Sequence, residues 1–499
     1  MNIGKRLRAA AAGALLAPTA VTLAAGPAHA VVKTADTMAS ATSLAQVRSI
    51  IGADTGSAAT LTGKGVGVAL IDTGVASVPG LPATQIVNGP DLSFESQAAN
   101  LRYQDTYGHG THMAGIIVGN DTATGTKGIA PGVKLTSVKV GTSTGAVDVS
   151  QMIAAIDWVV VHRNDDAANP IKVVNLSYGS GGNPVTWTDP LQFAVEKAWQ
   201  AGIVVVAAAG NNGNAAGALT NPATDDWVLA VGATATNGTT ATTDDTLAAF
   251  TNLSSTTTAG AAGQVDLLAP GTSIASLRVP GSNVDNLYPS ARVGETLFKG
   301  SGTSQATAVV TAAAALLLQA KPTATPNQVK DWLTKGATAL TTGTAATLGL
   351  RELNVNGALA RTGTTVTAPT LKLSSGTGPL QGSRGTSSMT LDGVKLTGER
   401  TVWGTFTSSQ WASTKSSGTT WSGGLWLGNR VAGDGWTGTS WASRTWAPAT
   451  WTATPWAGSA AGWSDPAWSG RTWSGRTWSA GTWSGRTWSS DGWSAGTWA

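Results

Sequence analysis

Val66-Gly67-Val68-Ala69-Leu70-Ile71 runs without a break into Asp72-Thr73-Gly74. Six consecutive residues without a polar side chain suit a strand buried on both faces, as in a parallel sheet covered by helices. A carboxylate at the carboxyl end of such a strand stands where open α/β sheets place their sites, although a strand-end Asp also serves as a turn or cap residue. Working outward, similar short runs occur at Leu135–Val140, Val173–Leu176, Ile203–Ala208, Val228–Val231 and Val265–Leu268. Helical periodicity separates them at Val149–Arg163, Pro190–Ala201 and Ser304–Ala320. From about Ser49 to Leu353 the alternation predicts an α/β domain, a largely parallel sheet flanked by helices.

Two further segments carry chemistry. Gly108-His109-Gly110-Thr111-His112-Met113-Ala114-Gly115 holds two His separated by two residues. A helical zinc motif needs the i, i+4 spacing with a Glu after the first His, so no metal is assigned. Instead, the glycines allow close approach of backbone to His109, and the small residues that follow let a helix pack tightly. Gly302-Thr303-Ser304-Gln305-Ala306-Thr307 opens an apolar helix through Leu318. A hydroxyl in that first turn is either a cap or a nucleophile held at the positive end of the helix.

Asp, His and Ser in this order, each in a Gly-flanked setting, form one of the known orders of the catalytic triad. It is the order found in subtilisin-like serine proteases. The region resembles the catalytic domain of that family, the subtilases. Three blocks carry the likeness: Ile71-Asp72-Thr73-Gly74, His109 through Gly115, and Gly302-Thr303-Ser304. A fourth, Ala208-Ala209-Gly210-Asn211, resembles the segment bearing the family's oxyanion-hole Asn.

The resemblance implies a subtilisin-like fold over residues 51–361 and a peptide-bond hydrolase acting on protein or peptide substrates. Ser304 is then the nucleophile, His109 the base and acid, and Asp72 the group that orients the imidazole. Asn211 and the Ser304 amide form the oxyanion hole, with a plain turn residue as the alternative for Asn211. Asn175-Leu176-Ser177-Tyr178-Gly179 resembles the family segment that pairs with an extended substrate, with Ala208, Ala209 and Gly210 as the opposite pocket wall. Neither stretch carries a charge, so uncharged or apolar side chains are expected before the cut. Asp105, four residues before His109, either favours a basic residue one step upstream or is a solvated loop carboxylate. His112 is the family's second, non-catalytic His. No cofactor is required for such chemistry; structural calcium, which family members often use, finds no acidic loop with recognisable spacing.

Two departures stand out. Many subtilases follow the nucleophile with Met, Ala, a small residue and Pro, whereas this chain has Gln305, Ala306, Thr307 and Ala308. Replacing the thioether removes an oxidation liability. Between Ala30 and the first strand lie only about 35 residues, too few for the folded pro-domain that many secreted members carry. These departures motivate an alternative, a surface-binding or adhesive protein on a catalytically decayed subtilase scaffold.

The rest of the chain frames the domain. Lys5, Arg6 and Arg8 precede an apolar run, Ala9 to Gly26, that ends in Ala28-His29-Ala30. These are the parts of a secretory signal peptide over 1–30, so the mature chain is expected to be extracellular, with retention at the cell surface open. Gly13, Pro18 and Gly26 break the run, and no later stretch reaches the length of a spanning helix. Without those three cations 28 basic face 27 acidic residues, so a nucleic-acid partner has no support. The absence of Cys in 499 residues excludes a disulfide framework and a thiol nucleophile. Residues 31–50 read as a short leader and 362–402 as a Thr/Ser/Gly-rich linker or spacer. From Trp403 to the end come 17 of the 22 Trp, recurring every five residues between Trp463 and Trp498. That period fits neither helix nor strand, and beyond Val431 there is no Leu, Ile or Val, so Trp supplies the apolar area of the repetitive tail 403–499. Its Trp rows with Arg471, Arg476 and Arg486 suit contact with a cell surface or polysaccharide; a passive extension is the plainer alternative.

Overall fold

The computed structural model describes residues 41–430, apart from 98–99, 182–185, 255–263, 364–372, 386–389, 392–393, 423–424 and 428, together with 472–473 and 476–477. The expected signal peptide and, apart from the paired dipeptides Thr472–Trp473 and Arg476–Thr477, the tail beyond Arg430 lie outside the described residues.

β1 (Gly67–Asp72), β2 (Ile86–Asp91), β3 (Lys134–Lys139), β4 (Ile171–Leu176), β5 (Val204–Ala208), β6 (Leu229–Ala235) and β7 (Leu267–Pro270) form one parallel sheet. Their spatial order is β2-β3-β1-β4-β5-β6-β7, with short strands beyond β7. β1 is buried along its whole length, as its unbroken apolar sequence requires. The chain leaves β1 toward one edge and returns to β4 on the other side. The crevice at the carboxyl ends of β1 and β4 is therefore the topological switch point, where α/β sheets bind ligands. β8 (Ile274–Leu277) and β9 (Leu297–Gly300) form an antiparallel pair outside this sheet.

The principal helices are α1 (Leu44–Ile50), α2 (His109–Val118), α3 (Val149–His162), α4 (Pro190–Gln200), α5 (Thr303–Ala320), α6 (Pro326–Gly336), α7 (Leu380–Arg384) and α8 (Ser408–Ser416). α5 packs against α2 and against β4, β5, β6 and β7, and every residue from Thr303 to Leu318 is buried. By length and composition it could cross a membrane, which corrects the expectation that no stretch after the first 30 residues reaches that length, but it is buried as a core helix. α3 and α4 pack on each other, α3 also against β1 and α4 against β5.

β2 escaped the sequence reading because it contains Asn88, Gly89 and Pro90; Pro is tolerated there because β2 ends the sheet. Near two of the expected boundaries the described residues pack against the body. Leader residues 42–50 belong to the body: Ser43 and Gln46 form a capping box for α1, Leu44 and Val47 are buried, and Arg48 donates 3.0 Å bonds to the carbonyls of Gly128 and Ile129. The described residues of the expected linker or spacer 362–402 and of the start of the tail also pack on the body. Leu380, Ser383, Arg384, Trp403, Trp411, Trp421 and Trp426 are buried, because this stretch supplies partners to buried carboxylates on α3 and α4.

Candidate active site

Asp72 ends β1, and His109 opens α2. His109 Nδ1 lies 2.8 Å from Oδ1 and 3.0 Å from Oδ2 of Asp72, which puts the proton-accepting Nε2 on the far side of the ring. Both residues are buried. Burial pushes the Asp72 carboxyl up, against the pull of the His109 ring and of the Thr73 amide, which donates at 2.7 Å. The approach is close because residue 110 is Gly: a Cβ there would sit 2.1 Å from the Gly74 carbonyl oxygen and 3.1 Å from Asp72 Oδ1.

Ser304 lies in the first turn of α5, which sits at the carboxyl ends of β5 and β7: the Gly210 amide donates to Thr303 Oγ1 and the Gly302 amide to the Gly271 carbonyl. Its Oγ is buried and makes no hydrogen bond among the described residues. Asn211 follows β5 and its orientation is fixed. Its Oδ1 accepts from the Thr303 amide at 2.8 Å and from the Thr303 hydroxyl at 2.9 Å, and its Nδ2 lies against Gly302, 3.2 Å from where a Cβ there would sit. The Gly210 amide donates to Thr303 Oγ1 at 3.2 Å, with Gly210 at φ +110°, a conformation suited to Gly.

The expected substrate walls are brought together. Leu176 and Ala207 are register partners in β4 and β5, so Ser177, Tyr178 and Gly179 leave the sheet beside Ala208, Ala209 and Gly210. Ser177 Oγ accepts from Asn175 at 2.9 Å and donates to the Ser304 carbonyl at 3.2 Å, which ties one wall to the nucleophile's helix. The phenol of Tyr178 is buried and within electrostatic reach of Asp148 and Arg384, so burial holds it far above its ordinary range.

Two residues near His109 have roles that spacing alone left open. Asp105 is buried, not solvated: it accepts 2.7 Å bonds from the Gly108 and Thr111 amides and a 2.8 Å bond from Thr73 Oγ1. It thus caps the helix that bears His109 and joins it to the turn after Asp72. His112 Nε2 lies 3.2 Å from the Ile274 carbonyl and 3.1 Å from that of Phe298, which fastens α2 to β8 and β9. Burial, aided by the charge of His109, lowers its pKa to about 3, so the ring is a neutral donor.

Sequence reasoning missed Lys139. It is buried at the end of β3, paired with Glu95 at 2.9 Å, and donates to the Thr73 carbonyl at 2.6 Å. It therefore holds the turn after Asp72 from below. Its signal, a Lys at the end of an otherwise apolar strand, was present but ambiguous. Among the described residues, no group of three or more His, Asp or Glu gathers to hold a metal ion.

Comparison with known proteins now bears on this geometry. The serine protease AprX of Bacillus subtilis (strain 168) is 38% identical over 283 residues, 56% of this chain and 62% of AprX. This chain thus matches less than two thirds of the length of that relative. Subtilisin DY of Bacillus licheniformis is 35% identical over 294 residues, 58% of this chain and 90% of its own length. A crystal structure of a cold adapted subtilisin-like serine proteinase shares 30% identity at a TM-score of 0.46, covering 59% of this chain and 90% of that one. Residues 63–363, more than half of the chain, match the subtilase family. The parallel sheet with its Asp-His couple at the switch point thus has a family: the chain belongs to the subtilases.

Proposed function

We propose that the chain is a secreted serine endopeptidase that hydrolyses peptide bonds in proteins through Asp72, His109 and Ser304. The observation that carries this reading is the buried Asp72–His109 couple, 2.8 Å across, at the rim where α5 presents Ser304. Ser304 Oγ bonds to the scissile carbonyl carbon while its proton passes to His109 Nε2. Asp72 holds the imidazole in the required tautomer and stabilises the imidazolium. The oxyanion takes hydrogen bonds from Asn211 Nδ2 and the Ser304 amide as the C–N bond breaks and His109 gives its proton to the leaving amine. Water then repeats the sequence on the acyl-enzyme. With triad and oxyanion Asn all present, the chain reads as an enzyme and not a decayed scaffold.

The uncharged walls at Ser177–Gly179 and Ala208–Gly210 favour uncharged or apolar side chains before the cut. Peptides differing only at that position test this, and strong selection for Arg or Lys contradicts it. The signal-like segment 1–30 supports export, and the Trp and Arg rows beyond Arg430 support retention at a cell surface or polysaccharide. Diisopropyl phosphorofluoridate tests the nucleophile: a single adduct on Ser304 is expected by mass spectrometry, absent from Ser304→Ala. Labelling that persists in that variant overturns the assignment.

A further inference from the structure

The residues matched to the family stop at 363, yet four buried carboxylates of the body find partners beyond that point. Arg384 Nε lies 2.7 Å from Asp148, Ser383 Oγ donates to Asp189 at 2.7 Å, the Ser374 amide donates to Glu196 at 2.8 Å, and Lys415 pairs with Asp157. Asp148 and Asp189 are also the caps of α3 and α4, so α7 is fastened to the amino ends of both helices.

The same short helix reaches the substrate wall. Ser180 Oγ donates to the Ser383 carbonyl at 2.5 Å, and Gly181 forms a parallel bridge with Gly385. On its other side Ser180 exchanges backbone bonds of 2.9 and 3.1 Å with Asn221, whose side-chain amide lies 3.4 Å from both oxygens of Asp189. Ser383 Oγ, in turn, accepts from the Leu191 amide at 3.3 Å. The segment that continues Ser177-Tyr178-Gly179 is thus clamped between Asn221 and α7, with Asp189 joining the clamp's two jaws.

We propose that Ser383 is a positioning residue for substrate: through its joint with Ser180 and Asp189 it holds the Ser177–Gly179 wall at the spacing an extended peptide needs. The proposal rests on the endopeptidase reading above. Ser383 touches no reacting atom, so its loss acts on peptide binding and leaves the attack of Ser304 intact.

The test is steady-state cleavage of a chromogenic peptide by the full chain, expressed per active site titrated with diisopropyl phosphorofluoridate. Ser383→Ala and Ser180→Ala, each lacking one hydroxyl of the joint, are compared with Lys415→Met, which cuts the same segment's attachment to α3. Both joint variants are expected to raise KM about fivefold, the size of one hydrogen bond, with kcat within about twofold. The two hydroxyls make separate bonds, Ser180 Oγ to the Ser383 carbonyl and Ser383 Oγ to Asp189, so the double variant should raise KM beyond either single. Lys415→Met should lower the melting temperature and leave KM per titrated site unchanged. An unchanged KM in both joint variants overturns the proposal, as does a KM rise in Lys415→Met equal to theirs. A wild-type chain that cleaves nothing sinks the endopeptidase reading itself; an active wild type with unaltered variants sinks only the role of Ser383.

Discussion

Asn211 divides its amide between two tasks: the oxygen is held by Thr303, and the nitrogen is thereby aimed. Asn211→Leu should lower kcat by about 10²–10³, a magnitude taken from subtilisin, with little change in KM, because the donor acts on charge that exists only in the transition state. A variant with unchanged kcat would remove Asn211 from the oxyanion hole. Beside the nucleophile, Gln305 offers no thioether to oxidise, while Met113 and Met152 are buried in their helices. Activity should therefore survive dilute peroxide, and rapid inactivation would contradict this. At this scale the sequence was legible for a pairing carried by short motifs, as with Asp72 and His109, which lie 2.8 Å apart. It was not legible for Asp105, whose cap depends on how the turn folds back, nor for Ser383, whose partners Ser180 and Asp189 lie about 200 residues away.

α2 must be held at both faces for His109 to meet Asp72, and His112 supplies the fastening to β8 and β9. Its pKa of about 3 lies below the ordinary 6.5, so the unfolded chain takes up the proton first as pH falls. The stability it contributes is complete above pH 6.5 and is lost as pH falls toward 3, about 3 kcal/mol of it by pH 4 at roughly 1.4 kcal/mol per pKa unit. Urea unfolding of the Ser304→Ala chain, which cannot digest itself, should show this loss between pH 6.5 and 4. His112→Gln in that background keeps an N–H donor and should flatten the slope; equal slopes would refute the neutral-imidazole account. Elements with one strong period were readable. β1 up to Ile71 and β5 are continuous apolar runs and α5 carries one from Ala312 to Leu318, whereas β2, β8 and β9 are short or polar and take their pairing from the fold around them. α6, absent from the sequence expectations, opens on a capping box of Thr325 and Gln328 with Pro326 at the first turn.

The molecule is larger than its catalytic motif. Composition drew the boundary of the tail at Trp403, but Trp411 and Trp426 donate 2.8 Å bonds to Asp157 Oδ2, and Trp421 donates to the Ala154 carbonyl at 3.0 Å. Composition could not show this, because a Trp that fills a core and a Trp in a surface repeat look alike in sequence. Removing one partner of a buried ion pair costs about 3–5 kcal/mol, so Arg384→Met should destabilise the chain by that amount through Asp148. For the same reason a chain ended after Gly363 should fail to fold, whereas one ended after Arg430 should remain folded and hydrolyse casein. If the shortened chain also loses retention on cell wall, the repeats beyond Arg430 are a targeting module; unchanged distribution would make them passive. The most direct test of the whole account is casein hydrolysis by the purified chain, with and without a serine-directed inhibitor, beside Ser304→Ala. Hydrolysis should be abolished by the inhibitor and fall by several orders of magnitude in the variant; equal rates in wild type and Ser304→Ala would contradict it.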